Sequence, residues 1–254
     1  MSNHPQMPAY LVGRSFCSIA DERVPEGAPE PKAYVGFHNS PEEIERIGKN
    51  VRILAYLSYD LIEYAWRLAE TSWERRGGYD EGSELPTSSR AAAAGAIALA
   101  YAALEAAINE QIVNLEGMLR DNGDAVRARL ARLVIGLSLR DRLDAVAAIY
   151  GHAIEWGTEP TFQRFELLVA VRNHLLHHEL GGGLLVEGYW PAKRLRDLPN
   201  QIKSPYRSRK DLHWYDHVLA PAGAVWAVNV ACEVLSALEH WWNELRPPSR
   251  GAST

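Results

Sequence analysis

The chain has 254 residues, 47% of them hydrophobic, with a formal net charge of −5. That composition supports a real core and excludes a uniformly basic nucleic-acid coat, so any polyanion site must be a local patch. The two cysteines, Cys17 and Cys232, lie far apart, which excludes a disulfide framework and a cysteine-rich zinc site and fits a reducing cytoplasm.

Residues 1–40 read as an irregular segment. Pro25, Pro29 and Pro31 oppose regular structure there, with short extended pieces expected around 10–19 and 33–37. Met1 to Pro8 lacks the charged start and apolar run of a signal peptide. Ser40-Pro41-Glu42-Glu43 then announces a helix: serine caps, proline takes the first position and Glu43 completes a capping box. The helix is expected over 41–76, stopped by Gly77-Gly78. Its broad apolar set includes Leu54, Leu57, Leu61, Tyr64, Ala65 and Leu68, which predicts packing on more than one neighbour. Residues 41–87 therefore form a long helix and linker, with the polar stretch 77–89 as the best boundary.

A second helix is expected over 90–120, with Ile97, Tyr101, Leu104, Ile108, Ile112, Leu115 and Leu119 on one face. The stretch 91–119 is the most apolar in the chain, but Glu105, Glu110 and Glu116 interrupt it, so it does not read as membrane-spanning. Asp121-Asn122-Gly123-Asp124 is a turn. Helical pattern resumes through Leu139 with a break at Gly136. Ser138 caps a piece over 139–150 that Gly151 ends. Thr161 is expected to cap the next helix, which stops before Gly181-Gly182-Gly183. A long connection follows over 181–213, with a hairpin expected within 184–190. Across 193–210 it carries seven basic residues and one acid, Asp197. A last helix covers 217–245, with Pro221 marking its proper start, and 247–254 is a tail. The class is all-α: an antiparallel helical bundle over 88–246 with an N-terminal helical extension and a long basic connection before the last helix.

The densest chemistry is Arg172-Asn173-His174-Leu175-Leu176-His177. At about 100° per residue, Phe162, Phe165, Leu168, Val169, Leu175 and Leu176 form an apolar stripe with Arg172 near its middle. A guanidinium aimed into an apolar seam is costly unless an anion meets it. That anion is either a carboxylate of this chain, with Glu105 as the candidate, or the phosphate of a ligand. Asn173 and His177 lie one turn apart on the edge of the stripe. Leu167 and Val171 lie on another side. They either pack under the helix over 41–76 or form a dimer face.

Three stretches together resemble a HEPN domain, a helical bundle found in prokaryotic nucleases, toxins and abortive-infection proteins. Residues 172–177 fit the family pattern of arginine, a polar residue and a later histidine. Residues 100–110, Ala-Tyr-Ala-Ala-Leu-Glu-Ala-Ala-Ile-Asn-Glu, resemble the family's first helix, in which an acid faces the motif arginine. Residues 137–144 are similar to its second helix, and Trp226-Ala227-Val228-Asn229 to its closing helix. The resemblance implies a metal-independent endoribonuclease acting as a homodimer, in a defence or toxin system, with an antitoxin or regulatory protein as a further partner. It implies Arg172, His177, Asn173 and Glu105 as catalytic residues. Some family toxins carry a modifiable tyrosine two positions after the histidine. Here that position is Glu179. The alternative within the family is a non-catalytic module that binds RNA, a nucleotide or a protein.

The residue types suit that chemistry. Metal-free RNA cleavage uses the 2′-hydroxyl as nucleophile and needs a proton acceptor, a proton donor and a cation for the extra charge on phosphorus. Histidine titrates near neutrality, and arginine's planar fork matches phosphate. The substrate strand is expected to follow Asn109 and the basic residues Lys193, Arg194, Arg207, Arg209 and Lys210. No metal and no cofactor is expected. His174, His177 and His178 do not converge on one point, and His213 and His217 read as solvent-facing or hydrogen-bonded residues where the last helix begins. The protein is expected to be cytoplasmic, with no membrane partner.

Overall fold

The computed structural model describes residues 5–11, 57–77, 85–176, 193–196, 198–204 and 212–245. These residues form helices without a strand: α1 (Leu57–Glu74), α2 (Thr87–Asp121), α3 (Ala125–Leu133), α4 (Leu139–Ile149), α5 (Pro160–Leu176), α6 (Leu198–Gln201), α7 (Trp214–Val218) and α8 (Pro221–Leu245). Short 3-10 turns occupy Val134–Gly136 and Lys193–Leu195. The all-α reading holds. The expected hairpin within 184–190 lies outside the described residues.

Local chemistry sets most of the helix ends. The Asp124 carboxylate accepts the Arg127 N–H at 3.0 Å and caps α3, and Ser138 accepts the Asp141 N–H at 3.2 Å and caps α4. Gly123 (φ 79°) and Gly151 (φ 83°) follow α2 and α4 in left-handed conformations. One expected end moves. The fifth helix starts with Pro160 rather than after a Thr161 cap, because proline's fixed φ and missing N–H suit the first helical position. The last helix starts at Pro221 for the same reason, and the turn before it is a separate short helix, α7.

The first helix does not sit outside the bundle. Ile62, Ala65, Trp66 and Ala69 share one core with residues of α2, α4, α5 and α8. Leu57 and Tyr64, expected in the apolar set, are exposed. The helix is rotated so that two serines meet α2. Ser72 Oγ donates to the Ser89 carbonyl at 2.9 Å, and Ser89 Oγ returns a bond to the Ser72 carbonyl at 2.7 Å. Near the other end, the Glu110 carboxylate accepts Ser58 Oγ at 2.6 Å and Ser58 N–H at 3.2 Å. The start of α1 thus meets the middle of α2 and its end meets the start of α2, so the pair is antiparallel. Gly95 permits the close approach: a Cβ there would lie 2.8 Å from Leu68 Cδ1.

Helix α5 is buried on both of its apolar sides. Phe162, Phe165, Leu168, Leu167, Ala170 and Val171 are all in the core. Helix α5 packs on α8, on α2 and on the 193–195 turn. Leu167 and Val171 are therefore buried within one chain. The connection before the last helix is also anchored. Leu195, Leu198 and Ile202 enter the core, while Lys193, Arg196 and Lys203 stay exposed. By length and composition, α2 and α8 are long and apolar enough to cross a membrane; in the fold, both are mostly buried core helices.

Candidate functional site

Tyr101, Glu105 and Asn109 recur every fourth residue along α2 and so form a polar ledge on one side of it. The last turns of α5 and the body of α4 come down on this ledge. The Arg172 guanidinium stands over the Tyr101 ring, 4.6 Å from its centroid, within cation–π range. It also donates to Asn173 Oδ1 at 3.0 Å. Tyr101 is buried below it. Burial, and then the Glu105 charge, raise the Tyr101 phenol above its ordinary pKa, while Arg172 and Arg142 act in the opposite direction. Tyr101 therefore stays protonated at neutral pH and presents a neutral π-face to the cation.

Beside Arg172 an open groove of about 370 Å³ runs between α2, α5 and α7. Ile97 and Leu175 line its floor and sides, Trp214 and Tyr215 add aromatic surface, and Arg172 is its charged residue. The Trp214 indole N–H is buried without an acceptor among the described residues. Such a donor costs free energy unless something else satisfies it. On the far side of Trp214 the His174 ring meets the indole edge-on, at 6.2 Å between centroids. The helical wheel sets His174 opposite Arg172; Trp214 of α7 meets the His174 ring and also lines the groove beside Arg172.

Glu105 meets a further arginine, on α4. Glu105 Oε1 binds Arg142 at 3.0 Å, and Asn109 Oδ1 accepts from the same guanidinium at 2.5 Å. Glu105 and Asn109 thus hold an arginine on α4. Among the described residues, Arg142 is the buried arginine. The sequence carried a signal for it. Arg142 falls between Leu139, Leu143 and Val146 at helical spacing, within an apolar stripe, by the same logic that singles out Arg172.

His177, Arg207, Arg209 and Lys210 lie outside the described residues. Lys193 is exposed, on the same short turn as Arg194. His213 precedes α7 and stacks on Tyr215 with centroids 5.1 Å apart. His217, read as solvent-facing or bonded at the helix start, is buried within α7. Asp216 beside it is also buried and forms an ion pair with Arg90 at 2.8 Å, which ties α7 to the first turn of α2. Neither Arg90 nor Asp216 stood out in the sequence, because the two are far apart along the chain. Among the described residues no three histidine, cysteine, aspartate or glutamate side chains gather as a metal site.

No protein-family model matches this chain, and no curated protein or solved structure is significantly similar to it.

Proposed function

We propose that this chain is a metal-independent endoribonuclease of HEPN type that works as a homodimer. One observation supports the reading above the others. The motif arginine, Arg172, lines an open groove beside Trp214 and Tyr215, with its guanidinium over the Tyr101 ring. A cation placed over a buried aromatic face at the rim of an accessible groove suits a phosphate, and the aromatic walls suit a base beside that phosphate.

In this reading Arg172 holds the scissile phosphate and offsets the charge that develops on phosphorus. Asn173 fixes the guanidinium through its side-chain oxygen. His177, the residue after Leu176 in the chain, transfers protons. The 2′-hydroxyl attacks the adjacent phosphorus as its proton leaves to a base, and the departing 5′-oxygen takes a proton from an acid. One imidazole in one pose does not fill both roles, so two subunits contribute one His177 each. DNA, lacking the 2′-hydroxyl, is not cut. A defence or toxin setting, with a regulatory protein partner, belongs to the same proposal and rests on the resemblance alone.

A second reading is a non-catalytic module that binds RNA or a nucleotide. The apolar character of the groove favours it, since Ala94, Ile97, Ala98, Leu175 and Leu219 offer seats for a base and no acid–base chemistry. Cleavage of a fluorescent RNA by wild type and by His177→Ala, each with and without EDTA, separates the two. Cleavage that survives EDTA and disappears in His177→Ala supports the nuclease. Salt-sensitive binding with no cleavage supports the module. Cleavage that EDTA abolishes, or that His177→Ala retains, refutes the proposed mechanism.

A further inference from the structure

Helix α3 is built in reverse. Surface helices ordinarily turn apolar residues inward and polar ones outward. Here the inward residues are the small Ala128 and Ala131, both buried. The outward ones are Val126, Leu130 and Leu133, which are 73%, 55% and 67% exposed. With Val126 as the origin and about 100° per residue, Leu130 and Leu133 fall within about 40° of it, and the two alanines lie about 140–160° away. Two more large apolar side chains, Ile135 and Leu137, are exposed in the turn that follows.

The rim of this stripe is basic. Arg127 and Arg129 flank it on opposite sides, Arg132 lies further round, and all three are exposed. Residues 125–139 hold these three arginines and no acid, although the chain as a whole carries a net charge of −5. Asp124, just before the helix, caps it and pairs with Arg127 at 3.5 Å.

We propose that α3 and the turn after it seat the protein on an anionic lipid bilayer. The stripe calls for an apolar layer, and the flanking guanidiniums call for anions level with the rim of that layer. Phospholipid headgroups over acyl chains supply both at the matching depth. A second copy of the chain fits less well: pairing two α3 stripes across a two-fold axis sets Arg127 and Arg129 beside their own counterparts, and like charges there oppose association. The attachment is peripheral, through one short helix, and so it is reversible and salt-sensitive. It departs from the sequence reading of a protein without a membrane partner, and it does not depend on the nuclease reading.

The test is co-sedimentation of the full chain with vesicles of phosphatidylcholine alone and of phosphatidylcholine mixed with phosphatidylglycerol. Binding is expected to the mixed vesicles and to fall with added salt. Each basic residue near such a surface multiplies partitioning by roughly fivefold, so Arg129→Gln/Arg132→Gln should weaken binding by roughly twentyfold or more. Leu130→Asp/Leu133→Asp should abolish it. These side chains face outward, so circular dichroism should show each variant folded like wild type. Equal binding to neutral and anionic vesicles, binding undiminished in the leucine variant, or no vesicle binding at all would each overturn the proposal. Concentration-dependent self-association lost in the leucine variant, without vesicle binding, would assign the stripe to a second copy instead.

Discussion

Replacing Arg142 with alanine should destabilise the fold by about 2–3 kcal/mol. Arg142 is 8% exposed, and its guanidinium holds Glu105 and Asn109 on the ledge of α2. Removing one partner of a buried ion pair typically costs about 3–5 kcal/mol, because the other charge stays behind uncompensated. Here the Glu105 side chain is 40% exposed, so water recovers part of its solvation, and the expected loss falls to about 2–3 kcal/mol. Methionine at the same position keeps the apolar packing of the stem and should recover about 1 kcal/mol. A double-mutant cycle with Glu105→Gln should give a coupling of about 1 kcal/mol or more. The measurement is equilibrium urea denaturation followed by circular dichroism and tryptophan fluorescence. A loss below about 0.5 kcal/mol for Arg142→Ala, the range of ordinary surface changes, would refute the assignment of this arginine as the structural one. So would a coupling near zero.

Arg172→Ala should lower both RNA affinity and its salt dependence in a filter-binding titration. Arg172→Lys keeps the charge but loses the planar fork, so it should retain only part of the affinity. Burial raises the Glu110 pKa above its ordinary value, although the Ser58 and Leu57 bonds oppose that shift. A raised folded-state pKa contributes stability that is present below the unfolded value and is lost as pH rises through the folded one. Denaturation midpoints of wild type should therefore fall relative to Glu110→Gln as pH is taken from acid toward neutrality. A gap between the two proteins that does not change with pH would contradict that sign. Two glycines predict contrasting outcomes in thermal melts. Gly223→Ala drives a Cβ to within 1.9 Å of the Val218 carbonyl oxygen, which backbone cannot readily yield, and should cost about 1–3 kcal/mol. Gly117→Ala, within α2 and with open space at its Cβ, should add about 0.5–1 kcal/mol.

The helical class and most helix ends were legible in the sequence because their causes are local. Ser138 capping α4, the left-handed glycines at 123 and 151, and Pro221 opening α8 each act within a few residues of themselves. Periodicity also placed Arg172 correctly on a helix that is otherwise core. Partner choice was not legible. Arg142 and Arg172 both interrupt apolar stripes, and nothing in their spacing says that Glu105 will meet Arg142. That depends on how α4 and α5 cross α2, which side-chain packing over the whole core decides. The same holds for α7, which brings Trp214 against the end of α5, and for Asp216, which finds Arg90 across more than a hundred residues of chain. It holds for α3 as well: its amphipathic pattern can be read off the sequence, but the side that turns outward is set by the neighbours that bury Ala128 and Ala131. Short-range torsional and capping preferences thus decided the elements, and long-range burial decided their faces and their partners, because the free energy of burial depends on everything a surface touches at once.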